Sequence, residues 1–331
     1  MAAGPSTAIV TGAAGLIGRE LCAQLATLGR SIIRIDPELA RSGEARYDIP
    51  AKVRQAVLSP LSECLTVREI YHCAGIVGPT KVVTSHFEMM SDHAADAIAV
   101  CEWADELQQQ WELRGRVRVM LLSSSEVYGL STKVPQCEDD PVTLGTEAMR
   151  WGYAASKLYI EQVGKAYAND RGVHTVIPRL FNVTGPRQRR GFVVPDFVQA
   201  ALDGEDIVID GDGFQTRCFS HVSDVARVLI ALMSDGTCAA PGTVVNVGSD
   251  VPRTILSVAD DCVRHAHREP RSKVRCIQRS SHDQVARGQM RTRKPSLDRL
   301  RSFVPSAEFR PWEEILSEMF SEARRKRECK S

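Results

Sequence analysis

The sequence predicts an α/β fold built on a doubly wound parallel sheet, with a smaller C-terminal α/β lobe. Two observations predict it. Strand-like apolar runs alternate with helical stretches through the first two-thirds of the chain, and a glycine-rich turn joins the first strand to the first helix. Thr7–Thr11 reads as a strand, Leu16–Leu28 as a helix and Ser31–Ile35 as the second strand. Glu69–Cys73 and Val117–Leu122 read as further strands, and long helices are predicted over about Phe87–Gln110 and Tyr153–Asn169. His174–Leu180 then returns to the sheet. After Asn182 the texture changes to a polar, basic loop, Gly185–Gly191, followed by short elements. These are a helix near Pro195–Leu202, the turn Asp210–Gly213, a helix over Val222–Leu232 and a strand over Thr243–Val247.

A chain of 331 residues with 43% hydrophobic and 25% charged residues can bury a large core. Forty-two basic against forty-one acidic side chains leave a net charge of +1, so no global field recruits nucleic acid or membrane. The start, Met1–Ser6, lacks the basic and long apolar regions of a signal peptide, and no apolar run nears the ~20 residues that span a bilayer. Ten cysteines stand singly, several within apolar runs such as those of Cys73 and Cys101. They read as small core residues of a reduced, cytoplasmic protein. The basic tail Glu322–Arg327 reads as a solvated helix end.

Thr11-Gly-Ala-Ala-Gly-Leu-Ile-Gly18 lies between the first strand and the first helix, where a Rossmann-type dinucleotide loop belongs. Gly12, Gly15 and Gly18 allow a tight turn, close approach of the backbone to a pyrophosphate and close helix–strand packing. Leu16 and Ile17 open the helix whose unpaired N–H groups face the phosphates. Asp36 ends the second strand, where its carboxylate accepts ribose hydroxyls and repels a 2′-phosphate, favouring NAD over NADP. Arg34 is predicted to point to the other side of that strand. Ala74 follows the third strand and completes the cofactor set with Asp48 and Ile49, which flank the adenine or cap a helix before Pro50. Residues 1–180 are therefore read as the NAD-binding domain, with a return segment near 219–250. Residues 181–331 form mainly the second lobe.

Ser124 and Tyr153-Ala-Ala-Ser-Lys157 carry the chemistry. A phenol and an ammonium four residues apart share a helix face, so Lys157 is expected to pull the Tyr153 pKa toward working pH. Tyr153 then takes a hydroxyl proton, and Ser124, closing a buried strand, shares the same substrate oxygen. His72 and His221 read as packed histidines, and no His/Cys/Asp cluster has metal spacing.

The glycine turn, serine and YxxxK resemble, in this order and over nearly the whole chain, the extended short-chain dehydrogenase/reductases. Ser123–Gly129, Arg150–Lys157, Arg179–Gln188 and Asp210–Phe219 look like the nucleotide-sugar branch. Within it they are most similar to UDP-glucuronate decarboxylases and their epimerase relatives. The resemblance implies that tightly held NAD oxidises the carbon-4 hydroxyl of a UDP-sugar, that the ketone is exploited, and that the hydride usually returns. Ser125-Glu126 matches the decarboxylase-like group, where dehydratases carry Asp-Glu and many 4-epimerases lack the glutamate. Beside a substrate carboxylate, Glu126 must be protonated or bridged, and it then destabilises that carboxylate or orients water; otherwise it is an exposed strand-end glutamate.

By the same resemblance, Arg217 neutralises a diphosphate or delivers a proton to carbon 5, and Asn182 contacts the diphosphate. Arg187 and Arg293 are further phosphate or uridine contacts, and the two long helices form a homodimer interface. Two departures stand out: Asp92-His93 where an asparagine precedes the long helix, and Ser296 where aspartate is usual. The leading reading is decarboxylation of UDP-glucuronate to UDP-xylose or a UDP-4-keto-pentose. A 4-epimerase, a 4,6-dehydratase and a catalytically silent NAD-binding scaffold are the alternatives.

Overall fold

The computed structural model describes residues 6–36, 38, 67–78, 84–110, 117–146, 148–234, 237, 239–266, 272–277 and 290–329. Asp48 and Ile49 lie outside the described residues. The large sheet contains β1 (Thr7–Thr11), β2 (Ser31–Ile35), β3 (Val67–His72), β4 (Arg118–Leu121), β6 (His174–Leu180) and β11 (Thr243–Val247). Their spatial order is β2-β1-β3-β4-β6-β11, and every pairing is parallel. The two-residue strand β5 (Ser123–Ser124) continues the line of β4 and pairs with the end of β6.

The strands are apolar on both sides because both faces are covered. Alternate residues enter opposite cores. Ala8, Val10, Tyr71 and Met120 pack on one face with helices α1 (Leu16–Thr27) and α5 (Val222–Leu232). Ile9, Ile70, Val119 and Leu121 pack on the other with α2 (His86–Gln110) and α3 (Trp151–Arg171). Leu297, Leu300, Val304 and Ala307 also join the first face, so a late stretch that includes α7 (Asp298–Phe303) returns to the sheet. The sequence division did not include that return.

A second core unites α4 (Val193–Asp203), α6 (Ile255–Ala266) and α8 (Trp312–Glu328) with the short strand β8 (Ile207–Asp210). Strand β8 pairs with β13 (Val274–Ile277), and β9 (Thr216–Cys218) lies between β12 (Pro252–Thr254) and β14 (Thr292–Arg293). A small pair, β7 (Val183–Thr184) with β10 (Ser220–His221), links the two cores. No helix among the described residues is long and apolar enough to cross a membrane.

A buried ion pair sits beneath the carboxyl ends of the central strands. Arg179 donates to both oxygens of Glu161 at 2.8 Å, and Ser123 Oγ donates to Glu161 Oε1 at 2.6 Å. Both partners are almost fully buried, so removing one charge strands the other. Glu161→Gln is expected to cost about 3–5 kcal/mol of stability, read as a shifted urea midpoint. A shift below about 1 kcal/mol would show that the pair does not hold this end of the sheet.

Candidate active site

The chain passes from β1 to β2 on one side and crosses to β3 on the other, so β1 and β3 flank the point where the strand order reverses. Ligands of open parallel sheets bind at such a point. The glycine turn lies there, and its backbone needs the glycines. Gly12 has φ +66, and a Cβ on it would meet Ala74 N at 2.7 Å. A Cβ on Gly18 would overlap Gly12 O. Gly15 caps α1 with no side-chain hydrogen bond, which leaves the first-turn N–H groups open to an anion.

Asp36 follows β2 and borders the same cleft. It accepts Ala14 N–H at 3.0 Å and Glu38 N–H at 2.9 Å. Its carboxylate therefore also braces the glycine turn. Arg34 is exposed. His72 is buried against Thr11 Oγ1, and burial lowers its pKa to about 3. His221 caps α5 by accepting Ser223 N–H and lines the cleft beside Glu318.

One cleft of about 1850 Å³ runs from the glycine turn into the second lobe. Every sequence-predicted site residue that the structure describes lines it, from Gly12 and Ala74 to Asn182 and Arg293. Arg187 stands exposed at its rim with φ +67. Asn182 turns a buried Oδ1 without a hydrogen-bond partner among the described residues.

Strand β5 carries Ser124 to the end of the sheet, and α3 brings Tyr153 beside it. Burial pushes Tyr153 up to about 12, although a hydrogen bond with Ser124 opposes the rise. Lys157 lies 5.9 Å over the phenol ring and donates its Nζ proton to Leu122 O at 2.9 Å. Its own pKa is lowered to about 8 by burial. Against the expectation that Lys157 pulls the Tyr153 pKa toward working pH, burial places it above the ordinary 10, and the phenol is neutral at pH 7. A proton acceptor at Tyr153 Oη requires more positive charge in the cleft.

Glu126 is bridged, as its position beside a substrate carboxylate would require, and is not an exposed strand-end residue. It sits in the 3₁₀ turn Ser125–Tyr128 that follows β5. Arg293 Nη1 donates to its Oε1 and Arg150 Nη2 to its Oε2, each at 2.8 Å. The two guanidinium groups hold its pKa down to about 2 against the opposing effect of burial. The folded value lies below the ordinary 4.5, so the triad's stabilisation is full above 4.5 and is lost as pH falls through about 2.

Arg217 lies next to this triad on β9, paired in register with Arg293. It donates to Thr216 O at 2.7 Å and forms no ion pair among the described residues. Burial and then Arg293 lower its pKa to about 9.

Two residues near the reacting groups escaped the sequence reading. Arg150 stood in a quoted motif without a role. His93 stood inside the predicted long helix without a role, and α2 includes it. His93 is 1% exposed, touches Ser156 Oγ at 2.9 Å and meets the Tyr153 ring edge-on at 5.8 Å. Burial lowers its pKa to about 2, so it is neutral. Among the described residues no group of His, Cys, Asp and Glu could hold a metal ion.

The profile of the NAD dependent epimerase/dehydratase family matches residues 8–248. The chain belongs to that family. It is 30% identical over 268 residues to the UDP-N-acetyl-alpha-D-glucosaminuronate decarboxylase of Bacillus cytotoxicus, covering 78% of this chain and 80% of the relative. It is 28% identical over 261 residues to UDP-glucuronic acid decarboxylase 1 of Xenopus tropicalis. That match covers 76% of this chain and 58% of the relative, so the chain spans little more than half of the frog protein. The solved structure of MoeE5 in complex with UDP-glucuronic acid and NAD superposes with TM-score 0.77 at 25% identity, covering 97% of this chain and 100% of that one. An epimerase of Methanothermobacter thermautotrophicus shares the fold with TM-score 0.82 at 23% identity, covering 99% and 95%.

The protein is an NAD-dependent enzyme. Its glycine turn, uncapped α1 N-terminus and Asp36 fit the dinucleotide. Asp36→Ala is expected to weaken NAD binding at least tenfold by calorimetry, since it removes the carboxylate expected to accept the ribose hydroxyls and the brace on Ala14. Unchanged affinity would displace Asp36 from the cofactor site. Tyr153→Phe keeps the packing and should lower turnover by ~10²–10⁴ with NAD binding retained. Near-normal turnover would mean that another group takes the proton.

Proposed function

We propose that the protein decarboxylates a UDP-hexuronate, UDP-glucuronate first, through a 4-keto intermediate. One observation carries the reading: the Arg150–Glu126–Arg293 triad stands beside Ser124 and Tyr153, with Arg217, which has no ion pair among the described residues, facing the same cleft. Three cations and one carboxylate leave a surplus of positive charge, which suits a substrate bearing a diphosphate and a sugar carboxylate. The names of the Bacillus and Xenopus relatives, and the UDP-glucuronic acid bound by MoeE5, support the same substrate class.

NAD, when bound, supplies hydride uptake and return and, when oxidised, a positively charged ring. Tyr153 Oη takes the carbon-4 hydroxyl proton, and Ser124 holds the same oxygen. The carbon-4 ketone lies β to the carboxylate, so the bond from carbon 5 to the carboxyl carbon breaks and its electron pair moves into an enolate. Ser124 and Tyr153 stabilise that oxyanion by hydrogen bonding. Carbon 5 then takes a proton, and hydride return gives UDP-xylose; release before that step gives the UDP-4-keto-pentose. Glu126, ionised and bridged, repels the substrate carboxylate and favours its loss.

Residues 1–180 with the return segment near 219–250 are the NAD-holding part of this proposal, and 181–331 mainly hold the sugar nucleotide. Asn182, Arg187 and Arg217 face the cleft from that second part. A cytoplasmic location is supported by the eight described cysteines, all of which are free. A homodimer is supported by α2 and α3, which pack side by side yet leave Phe87, Met90 and Tyr159 exposed.

Wild-type protein given UDP-glucuronate is expected to release carbon dioxide, and Glu126→Gln should impair that release more than binding. A product that keeps its carboxylate, identified by mass and NMR, would overturn the decarboxylase in favour of a 4-epimerase. Light scattering at micromolar concentration is expected to give twice the chain mass of 36.5 kDa. A mass of one chain would remove the dimer from the proposal.

A further inference from the structure

Gln136 does not line the cleft, and it is completely buried. All four of its polar atoms bond the segment that carries Arg293. Its N–H donates to Lys294 O, and its carbonyl accepts Ser296 N–H, both at 2.8 Å. Its Oε1 accepts Lys294 N–H at 2.8 Å, and its Nε2 donates to Thr292 O at 3.3 Å and to Lys133 O at 2.7 Å. Asn246, on β11, adds a tie from the main sheet. Its Nδ2 donates to Gln136 O at 3.0 Å, and its Oδ1 accepts the Tyr128 hydroxyl at 2.7 Å.

Strand β9 holds one edge of β14 through the pairing of Arg293 with Arg217. Gln136 holds the other edge, on both sides of Arg293. The Arg293 side chain itself is fixed at one end only: Nη1 meets Glu126, while Nε is buried without a partner among the described residues. Its direction therefore depends on where the backbone of 292–294 sits. An amide suits this place because it offers an acceptor for Lys294 N–H and a donor for Thr292 O; a carboxylate would face that carbonyl with a second acceptor.

We propose that Gln136 is a positioning residue for Arg293, setting from behind the strand the guanidinium that clamps Glu126. This rests on the reading that Glu126 and Arg293 serve the reaction. A displacement near 1 Å at such a group costs on the order of 10²-fold in rate.

Gln136→Met keeps the side-chain length and removes all three side-chain hydrogen bonds. It is expected to lower kcat on UDP-glucuronate by about 10–10²-fold with NAD affinity unchanged and KM little moved. Arg293→Met should lower kcat as well, and the double variant should fall no lower than Arg293→Met alone. In wild-type protein the Lys294 and Ser296 amides should exchange slowly with deuterium, and Gln136→Met should release the Lys294 amide. Gln136→Glu, which keeps the acceptor, should leave Lys294 protected while still lowering kcat. Near-normal kcat in folded Gln136→Met, additive losses in the double variant, or fast wild-type exchange at Lys294 would each overturn the proposal. If neither variant folds, the wild-type exchange decides. Wild-type protein that releases no carbon dioxide would sink the decarboxylase reading alone, because the exchange measurements need no substrate.

Discussion

A carboxylate held between two guanidinium groups governs the centre of this protein. Glu126 follows the end of the sheet, Arg150 precedes α3, and Arg293 arrives on β14 from 167 residues away. The triad therefore fastens the helix that carries Tyr153, the strand end that carries Ser124 and the second lobe to one point. Its electrostatics favour the ionised form strongly enough to overcome burial, which alone would raise the pKa. Arg217 then remains as a cation whose nearest charged neighbours are mostly of its own sign. A charge surplus of this kind is costly in the absence of an anion, and that cost is what a substrate relieves.

The Tyr153–Lys157 pair shows a different balance. The helix places the two on one face, but the site is dry enough that both groups shift toward their neutral forms. Lys157 donates a hydrogen bond to the main-chain carbonyl of Leu122, just past β4, with its ammonium over the phenol ring. His93 meets the ring edge-on and is neutral for the same reason. The phenol is thus oriented by packing first. Its acidity depends on charge that the chain alone does not supply.

The first half of the molecule was legible because local rules decide it. Thr7–Thr11, Ser31–Ile35 and His174–Leu180 are apolar runs bounded by turns, and the structure reproduces their limits. The glycine turn was legible because its spacing answers to contacts within one βα unit, such as that between Gly18 and Gly12 O. The later elements α6, α7 and α8 and the short strands β8, β9, β13 and β14 were not foreseen, except for the solvated end of α8. Strands of two to four residues carry no period, and they exist because a partner from elsewhere pairs with them. The site divides in the same way. Ser124, Tyr153 and Glu126 lie within one stretch of sequence, whereas the roles of Arg150 and Gln136 appear only once residues 292–296 have folded back over them. The ionisation of Tyr153 is not legible in the sequence, because spacing reports proximity and says nothing of desolvation.

Titration of the Glu126 carboxyl by carbon-13 NMR, assigned by its absence in Glu126→Gln, tests the central claim most directly. With both arginines in place, Glu126 should remain ionised from pH 7 down to the lowest pH at which the protein stays folded, in keeping with a value of about 2. A midpoint at the ordinary carboxylate value of 4.5 or above would show that the clamp does not exist in solution.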